Sequence, residues 1–217
     1  MITGRHTTPT SRRQVARELQ QAALLDPGLQ RLIDALGCPE PRVREPGFAT
    51  LLSIIVSQQL STGGAAAIWR RLERLCGGPV THRRILGRDD AQLRQCGLSR
   101  QKVEYIRGLA RMVADRDLDL DAVREFGAEA AIAELLKVRG IGRWSAEIYA
   151  MFALGHRDIF PAGDLALRVA VQRYASLGAR PDAGTTAALA EKWSPHRSSV
   201  ALLMWKYYGT TALDASG

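Results

Sequence analysis

One carboxylate and one glycine-rich turn are the residues of this 217-residue chain best placed to do chemistry. The stretch LLKVRGIGRWSAEIYAMFALGHRDIFPAGDLALRVAVQR, from Leu135 to Arg173, holds both. Gly140, Ile141 and Gly142 form a compact turn in front of a helical pattern. Glycine tolerates positive φ and lets another backbone come close. Exposed N–H groups at a turn that opens a helix attract an anion, through hydrogen bonds and through the helix dipole. Ser145, in the first turn, can add a hydroxyl. The same pattern also fits a helix C-cap followed by an ordinary tight bend. About twenty residues further on, past a Pro161/Gly163 break, stands Asp164. An aspartate there either caps the next helix or presents its charge to whatever the turn holds.

The elements that position these residues read as helices throughout, with no alternating strand pattern and no internal repeat. Amphipathic segments run from about Ser11 to Leu25 and from Pro27–Gly28 to about Leu36. GCPEPRVREPG, with three prolines, is a connector. A strongly apolar helix follows from about Phe48 to Gln59, and Ser61 or Thr62 caps the next, which reaches about Cys76. THRRILGRDDAQLRQCG gives two short helices, capped by Thr81 and by Asp89 or Asp90. Ser99 opens a long one. Short helices ending near Leu136 precede the glycine turn, and a helix from Arg143 to about Leu154 follows it. Further helices begin near Asp164, in TTAALAEKW and in RSSVALLMWKYYG. The fold class is all-α, with ten or so helices.

Composition narrows the partner. Lysine and arginine supply 30 positive charges against 22 acids, for a net charge of +8, and only Lys102, Lys137, Lys192 and Lys206 are lysines. A preference for arginine codons explains that ratio but not the excess of positive charge. A basic surface suits a polyanion held through its phosphates. Cys38, Cys76 and Cys96 are far apart, with no C-x-x-C, which supports no disulfide framework, zinc site or iron–sulfur cluster; they read as buried small side chains in a reducing cytosol. No apolar run is long enough to span a membrane, and the N-terminus has no apolar signal-peptide core. Its Arg/Ser/Thr bias suits a transit peptide less well than a disordered basic tail.

VRGIGRWSAEIYA with DIFPAGDLALR resembles the Gly/Pro-rich loop and following aspartate of the helix-hairpin-helix DNA glycosylase superfamily. SIIVSQQLS, LRQCGLSRQKVEYIRGLA and WSPHRSSVALLMW match in the same order, so the likeness covers Phe48 to Tyr208. Within the superfamily the chain is most similar to the DNA-3-methyladenine glycosylase II branch, in a compact form without the extra N-terminal domain.

That resemblance implies two helical lobes flanking a DNA-binding cleft. One lobe combines residues 1–46 with 160–217; the other, 47–159, ends in the helix-hairpin-helix. It implies that Asp164 is the essential acid, whose carboxylate stabilises an oxocarbenium-like sugar and positions a water. Bifunctional members carry a lysine at the position of Trp144. Here the nearest lysine, Lys137, precedes the turn, so the enzyme is expected to be monofunctional. Gln59 matches the side chain inserted where a base has flipped out, with Gln58 beside it. Trp144 is the expected wall of a pocket for cationic alkylated purines, together with His196, Ile148 and Leu165. The last two stand where relatives carry tyrosines, and Arg139 stands where proline is usual.

Gly140, Gly142, Ser145 and Arg197 are the expected phosphate contacts, with a structural role as the alternative for Arg197. The carbonyls of Leu136, Val138 and Ile141 are expected to hold a monovalent cation (Na+ or K+). No other cofactor is required and no iron–sulfur cluster is expected. The clusters Arg70, Arg71, Arg74 and Arg83, Arg84, Arg88 are expected to be solvated faces. The expected partner is damaged double-stranded DNA, met by a monomer in the cytoplasm at the nucleoid, or in a nucleus if the source is eukaryotic. The alternatives are a non-catalytic helix-hairpin-helix DNA-binding module and a glycosylase for another lesion class.

Overall fold

A computed structural model describes residues 11–214, with side chains through residue 210; the N-terminal tail discussed above lies outside them. The described residues contain no strand. They form thirteen α-helices: α1 (Arg12–Leu25), α2 (Gly28–Leu36), α3 (Phe48–Ser57), α4 (Thr62–Cys76), α5 (His82–Leu86), α6 (Asp90–Gln95), α7 (Arg100–Ala114), α8 (Leu120–Val123), α9 (Ala128–Leu136), α10 (Arg143–Phe152), α11 (Leu165–Tyr174), α12 (Ala183–Ala190) and α13 (Arg197–Asp214). None is long and apolar enough to cross a membrane.

Side-chain caps fix where many of these helices start. Ser11 and Asp89 each accept an N–H from the third helical residue and are answered by a glutamine, Gln14 and Gln92, in a capping box. Ser61, Thr81 and Ser99 accept from the backbone N–H groups of Gly64, Arg84 and Lys102. Each satisfies one of the donors that a helix start leaves without a partner.

The chain divides into two compact units. One comprises residues 44–149; the other combines the chain up to Val43 with the part from Ala150 on. The sequence reading put the divisions at 46/47 and 159/160; the second falls instead within α10, a single helix through which the chain passes from one unit to the other.

In the central unit, α3 buries Leu51, Leu52, Ile54, Ile55 and Val56 and packs on α7 and α4, while α7 also packs on α5 and α6. In the arginine clusters Arg70, Arg74 and Arg83 are exposed, while Arg71, Arg84 and Arg88 are partly buried. Arg71 Nε donates to the Cys96 carbonyl at 2.7 Å and Arg84 to that of Pro79 at 3.0 Å. A guanidinium beside a loop carbonyl gains a hydrogen bond that water would otherwise supply, so these two arginines tie loops down.

The terminal unit packs α13 against α1, α2 and α11. Trp193 is fully buried at its centre, with ring centroids of Phe160 and Tyr174 at 5.4 and 5.8 Å, and its Nε1–H donates to Asp26 at 2.8 Å. The buried Glu18 is not an isolated charge: it accepts the Ser199 hydroxyl at 2.6 Å and pairs with Arg157. Cys76 and Cys96 are buried, but Cys38 is only partly so.

Candidate active site

In the terminal unit, Asp164 takes the first of the readings its sequence position allows. It is the N-cap of α11, its Oδ1 accepting the Leu167 N–H at 3.1 Å. The same oxygen accepts the indole N–H of Trp205, on α13, at 3.2 Å. Capping uses one lone pair of a group that, when ionised, has two oxygens and about four acceptor sites. Cap and indole together fix how the carboxylate is turned.

The sequence reading passed over Trp205, although the segment it closes was one of the matching ones. The Phe152 ring lies 5.8 Å from it at 45° and the Arg42 guanidinium 5.3 Å from its centroid. Trp205 also lines a groove of about 300 Å³ with Arg12, Cys38, Glu40, Arg42 and Lys206. The Trp205 indole and the cationic side chains of Arg12, Arg42 and Lys206 therefore share one groove of this unit.

His196 does not line that groove. It directly precedes α13, its carbonyl accepting the N–H groups of Ser199 and Val200 at 3.1 Å, and the residue is only 8% exposed. Burial, helped by the charge of Arg157, holds its imidazole pKa below the ordinary value against the opposing pull of Glu18 and Asp158. It is a core histidine. Arg197 takes its structural alternative, Nε and Nη2 gripping the two oxygens of Asp158 at 2.7 and 3.0 Å. Burial pushes the Asp158 carboxyl up, but Arg197 and the Ser194 hydroxyl outweigh it and hold the pKa below the ordinary range. Leu165, next to Asp164, is 55% exposed.

The glycine turn belongs to the central unit. Gly140 adopts φ +94°, and a Cβ there would lie 2.4 Å from the Tyr105 ring, so no side chain fits. Ile141 donates its N–H to the Val138 carbonyl at 3.0 Å, and Gly142 accepts from Ala146 at 3.0 Å to open α10. Gly142 is exposed. Ser145 was expected to face a phosphate, yet it is 3% exposed and its hydroxyl meets Gln58 Nε2 at 3.1 Å. The first turn of α10 points this residue inward, and the nearest donor comes from the end of α3.

The same Nε2 donates to the Gly140 carbonyl at 2.9 Å. Gln58 is therefore a strut between two loops rather than a free side chain. Gln59, next in sequence, is exposed and holds φ +56°, an uncommon conformation for a residue with a Cβ. Gln58, Gln59, Lys102, Tyr105, Gly140 and Gly142 line one groove of about 430 Å³. Lys102 is the second residue the sequence reading missed: its ammonium donates to the carbonyls of Val56 and Gln58 at 2.6 and 2.7 Å. On α10, Trp144 is 37% exposed, whereas Ile148, four residues on, is buried.

For a monovalent cation the chemistry of the donor set is suitable, since all three expected ligands are backbone carbonyls. Val138 already accepts the Ile141 N–H, but a carbonyl has a second lone pair. Among the described residues no group of three or more His, Cys, Asp or Glu side chains could hold a metal ion.

Known proteins share this fold. The profile of the HhH-GPD superfamily of base excision DNA repair proteins matches residues 52–196. A crystal structure of a DNA-3-methyladenine glycosidase from Bacillus halodurans superposes with a TM-score of 0.82, at 32% identity over 91% of each chain. The Schizosaccharomyces pombe 3-methyladenine DNA glycosylase Mag1, in complex with abasic DNA, does so with a TM-score of 0.79, at 26% identity over 88% of this chain and 95% of that one. The Bacillus subtilis protein YfjP is 32% identical over 169 residues, 73% of this chain, which spans 58% of that relative's length. An all-helical fold, a glycine hairpin and an oriented aspartate agree with a match over more than half of its length, and this chain belongs to the HhH-GPD superfamily of base excision DNA repair proteins.

Proposed function

We propose that the protein is a monofunctional DNA glycosylase. It would hydrolyse the N-glycosidic bond of alkylated bases, of the 3-methyladenine and 7-methylguanine type, in duplex DNA after flipping them out. The observation that carries this reading is the doubly oriented carboxylate of Asp164. As the bond from the anomeric carbon to the base nitrogen breaks, the sugar gains positive charge. A fixed carboxylate stabilises that charge without reorganising. A water then adds to the anomeric carbon, gives up a proton to bulk water and leaves an abasic site, while the departing base keeps the bonding electrons. Alkylation places positive charge on the purine, so it leaves as a neutral molecule and needs little help from an acid.

The other residues have supporting tasks. Gly140 and Gly142 offer backbone to a DNA phosphate, and Gln59 fills the space the base leaves. Trp144 presents an indole and no amine, so no Schiff base forms at that position. A monovalent cation, held by the carbonyls of Leu136, Val138 and Ile141, would add positive charge for the phosphate. The protein works on damaged double-stranded DNA, as a monomer and with no other cofactor.

Trp205 is a positioning residue in this scheme. Trp205→Phe keeps a ring for Phe152 but removes the N–H that Asp164 accepts. Base release is expected to fall about tenfold, the scale of one hydrogen bond to a charged group. Equal rates for the variant and the wild type in single-turnover assays would remove that role.

A glycosylase for another lesion class is the second reading, because Ile148 and Leu165 are aliphatic and Ile148 is buried, which leaves Trp144 as the indole among the expected pocket residues. Incubation with methylated duplex DNA, scoring free bases and strand breaks, decides between the readings. Release of 3-methyladenine and 7-methylguanine, with breaks appearing only after alkali, is the expected result. Release only from duplexes carrying deaminated or oxidised bases would favour the second reading. Breaks without alkali would contradict the monofunctional assignment.

A further inference from the structure

Lys102 has no part in the chemistry just described, yet its surroundings in the central unit are unusual for a lysine. It lies early in α7, and its ammonium gives two short hydrogen bonds, 2.6 Å to the Val56 carbonyl and 2.7 Å to that of Gln58. The carbonyls at a helix C-terminus lack intrahelical N–H partners, and α3 ends at Ser57. The lysine supplies partners to one carbonyl before that end and one after it. Burial lowers the ammonium's pKa below the ordinary lysine value, as expected of a charge drawn out of water to reach the backbone.

The residue that follows the second clamped carbonyl is Gln59, at φ +56°. A residue with a Cβ holds that conformation when its surroundings fix it. Here two devices do so. Lys102 pins the carbonyls leading into Gln59, and Gln58 Nε2 ties the same loop to the Gly140 carbonyl, 82 residues away. Both devices and Gln59 itself face one groove, which the hairpin glycines also line.

We propose that Lys102 is a positioning residue for base extrusion: by clamping the carbonyls of Val56 and Gln58 it holds Gln59 in the conformation that enters the gap left by the flipped base. This inference rests on the reading of Gln59 as the inserted side chain. Gln58 then couples that loop to the hairpin, so that gripping the backbone and filling the gap use one preset geometry. A preset loop loses less conformational freedom on binding, which favours the DNA in which a gap is present.

The test compares affinity for a duplex holding a tetrahydrofuran abasic analogue with affinity for the same duplex intact, and takes the ratio. Lys102→Met keeps most of the stem and removes every donor. It is expected to lower the preference for the gapped duplex about tenfold through lost preorganisation. Gln59→Ala should lower the ratio to a similar extent. In the double variant the two losses should not multiply, because Lys102 acts through Gln59. Lys102→Arg, which retains several donors, should recover most of the preference. Lys102→Gln reads the same ratio with one carbonyl still reachable, should the methionine variant not fold.

An unchanged ratio in Lys102→Met would overturn the proposal. So would losses that multiply in the double variant, or gapped and intact affinities that fall together, as a merely structural role would cause. A wild type without preference for the gap would remove it too. A wild type that prefers the gapped duplex but releases no base from any damaged DNA would instead sink the glycosylase reading, leaving the ratio to judge Lys102.

Discussion

Replacing Asp164 by asparagine is expected to lower base release from methylated duplex DNA by about 10²- to 10³-fold, the scale of removing one preorganised electrostatic stabiliser. Folding should hardly change. Asparagine caps helices about as well as aspartate, and its amide oxygen can accept both the Leu167 N–H and the Trp205 indole N–H that Oδ1 accepts now. What the variant loses is the negative charge, worth about 0.3–1 kcal/mol to the helix through its dipole and far more to a positively charged sugar. Asp164→Ala supplies the contrast, because it removes the cap as well, at a cost of about 0.5–2 kcal/mol. Single-turnover base release and thermal melting of the three proteins separate the two roles. An asparagine variant with wild-type turnover would show that Asp164 is a cap and nothing more. A large loss of both turnover and melting temperature in that variant would leave its chemistry unproven, and the alanine contrast then shows how much of the loss is structural.

Gly140→Ala is the second substitution with a large expected effect, through the hairpin rather than the acid. The backbone sits at φ +94°, which a side chain strains, and the new Cβ would meet Cγ and Cδ2 of Tyr105 at 2.4 Å. Holding a non-glycine residue in such a region costs about 1–3 kcal/mol, before the collision with Tyr105. The hairpin must therefore move, and with it the carbonyl that accepts from Gln58. Melting temperature is expected to fall by several degrees, at roughly 2–4 °C per kcal/mol for a chain of this size. Duplex affinity should fall about tenfold, as a displaced turn no longer aims its N–H groups at a phosphate. Combining the change with Tyr105→Ala should recover the part due to the ring and leave the backbone part. Gly142→Ala is the internal control: nothing lies within 4 Å of its added Cβ, so stability should stay near that of the wild type. If Gly140→Ala melts and binds like the parent, the hairpin is more pliable than its packing against Tyr105 implies.

The all-helical class, the caps at Ser11, Ser61, Thr81, Asp89 and Ser99, and the glycine turn ahead of a helix are fixed by residues within three or four positions of one another. Hydrophobic period and capping are local properties, and a chain carries them wherever it goes. The same locality made Asp164 legible as a helix start. Its reading as an acid came from motif resemblance. Only tertiary structure could decide what each polar side chain does with its hydrogen bonds. Gln58 and Ser145 each read as facing DNA, but they stand 87 residues apart in sequence and satisfy one another. Arg197 turned to Asp158, 39 residues earlier, and His196 went into the core. Trp205 gained its role by meeting Asp164 from 41 residues away, and Lys102 by reaching backbone carbonyls 44 and 46 residues before it. Such pairings follow from which helices pack side by side. A polar group removed from water must find a partner among the atoms that packing brings near.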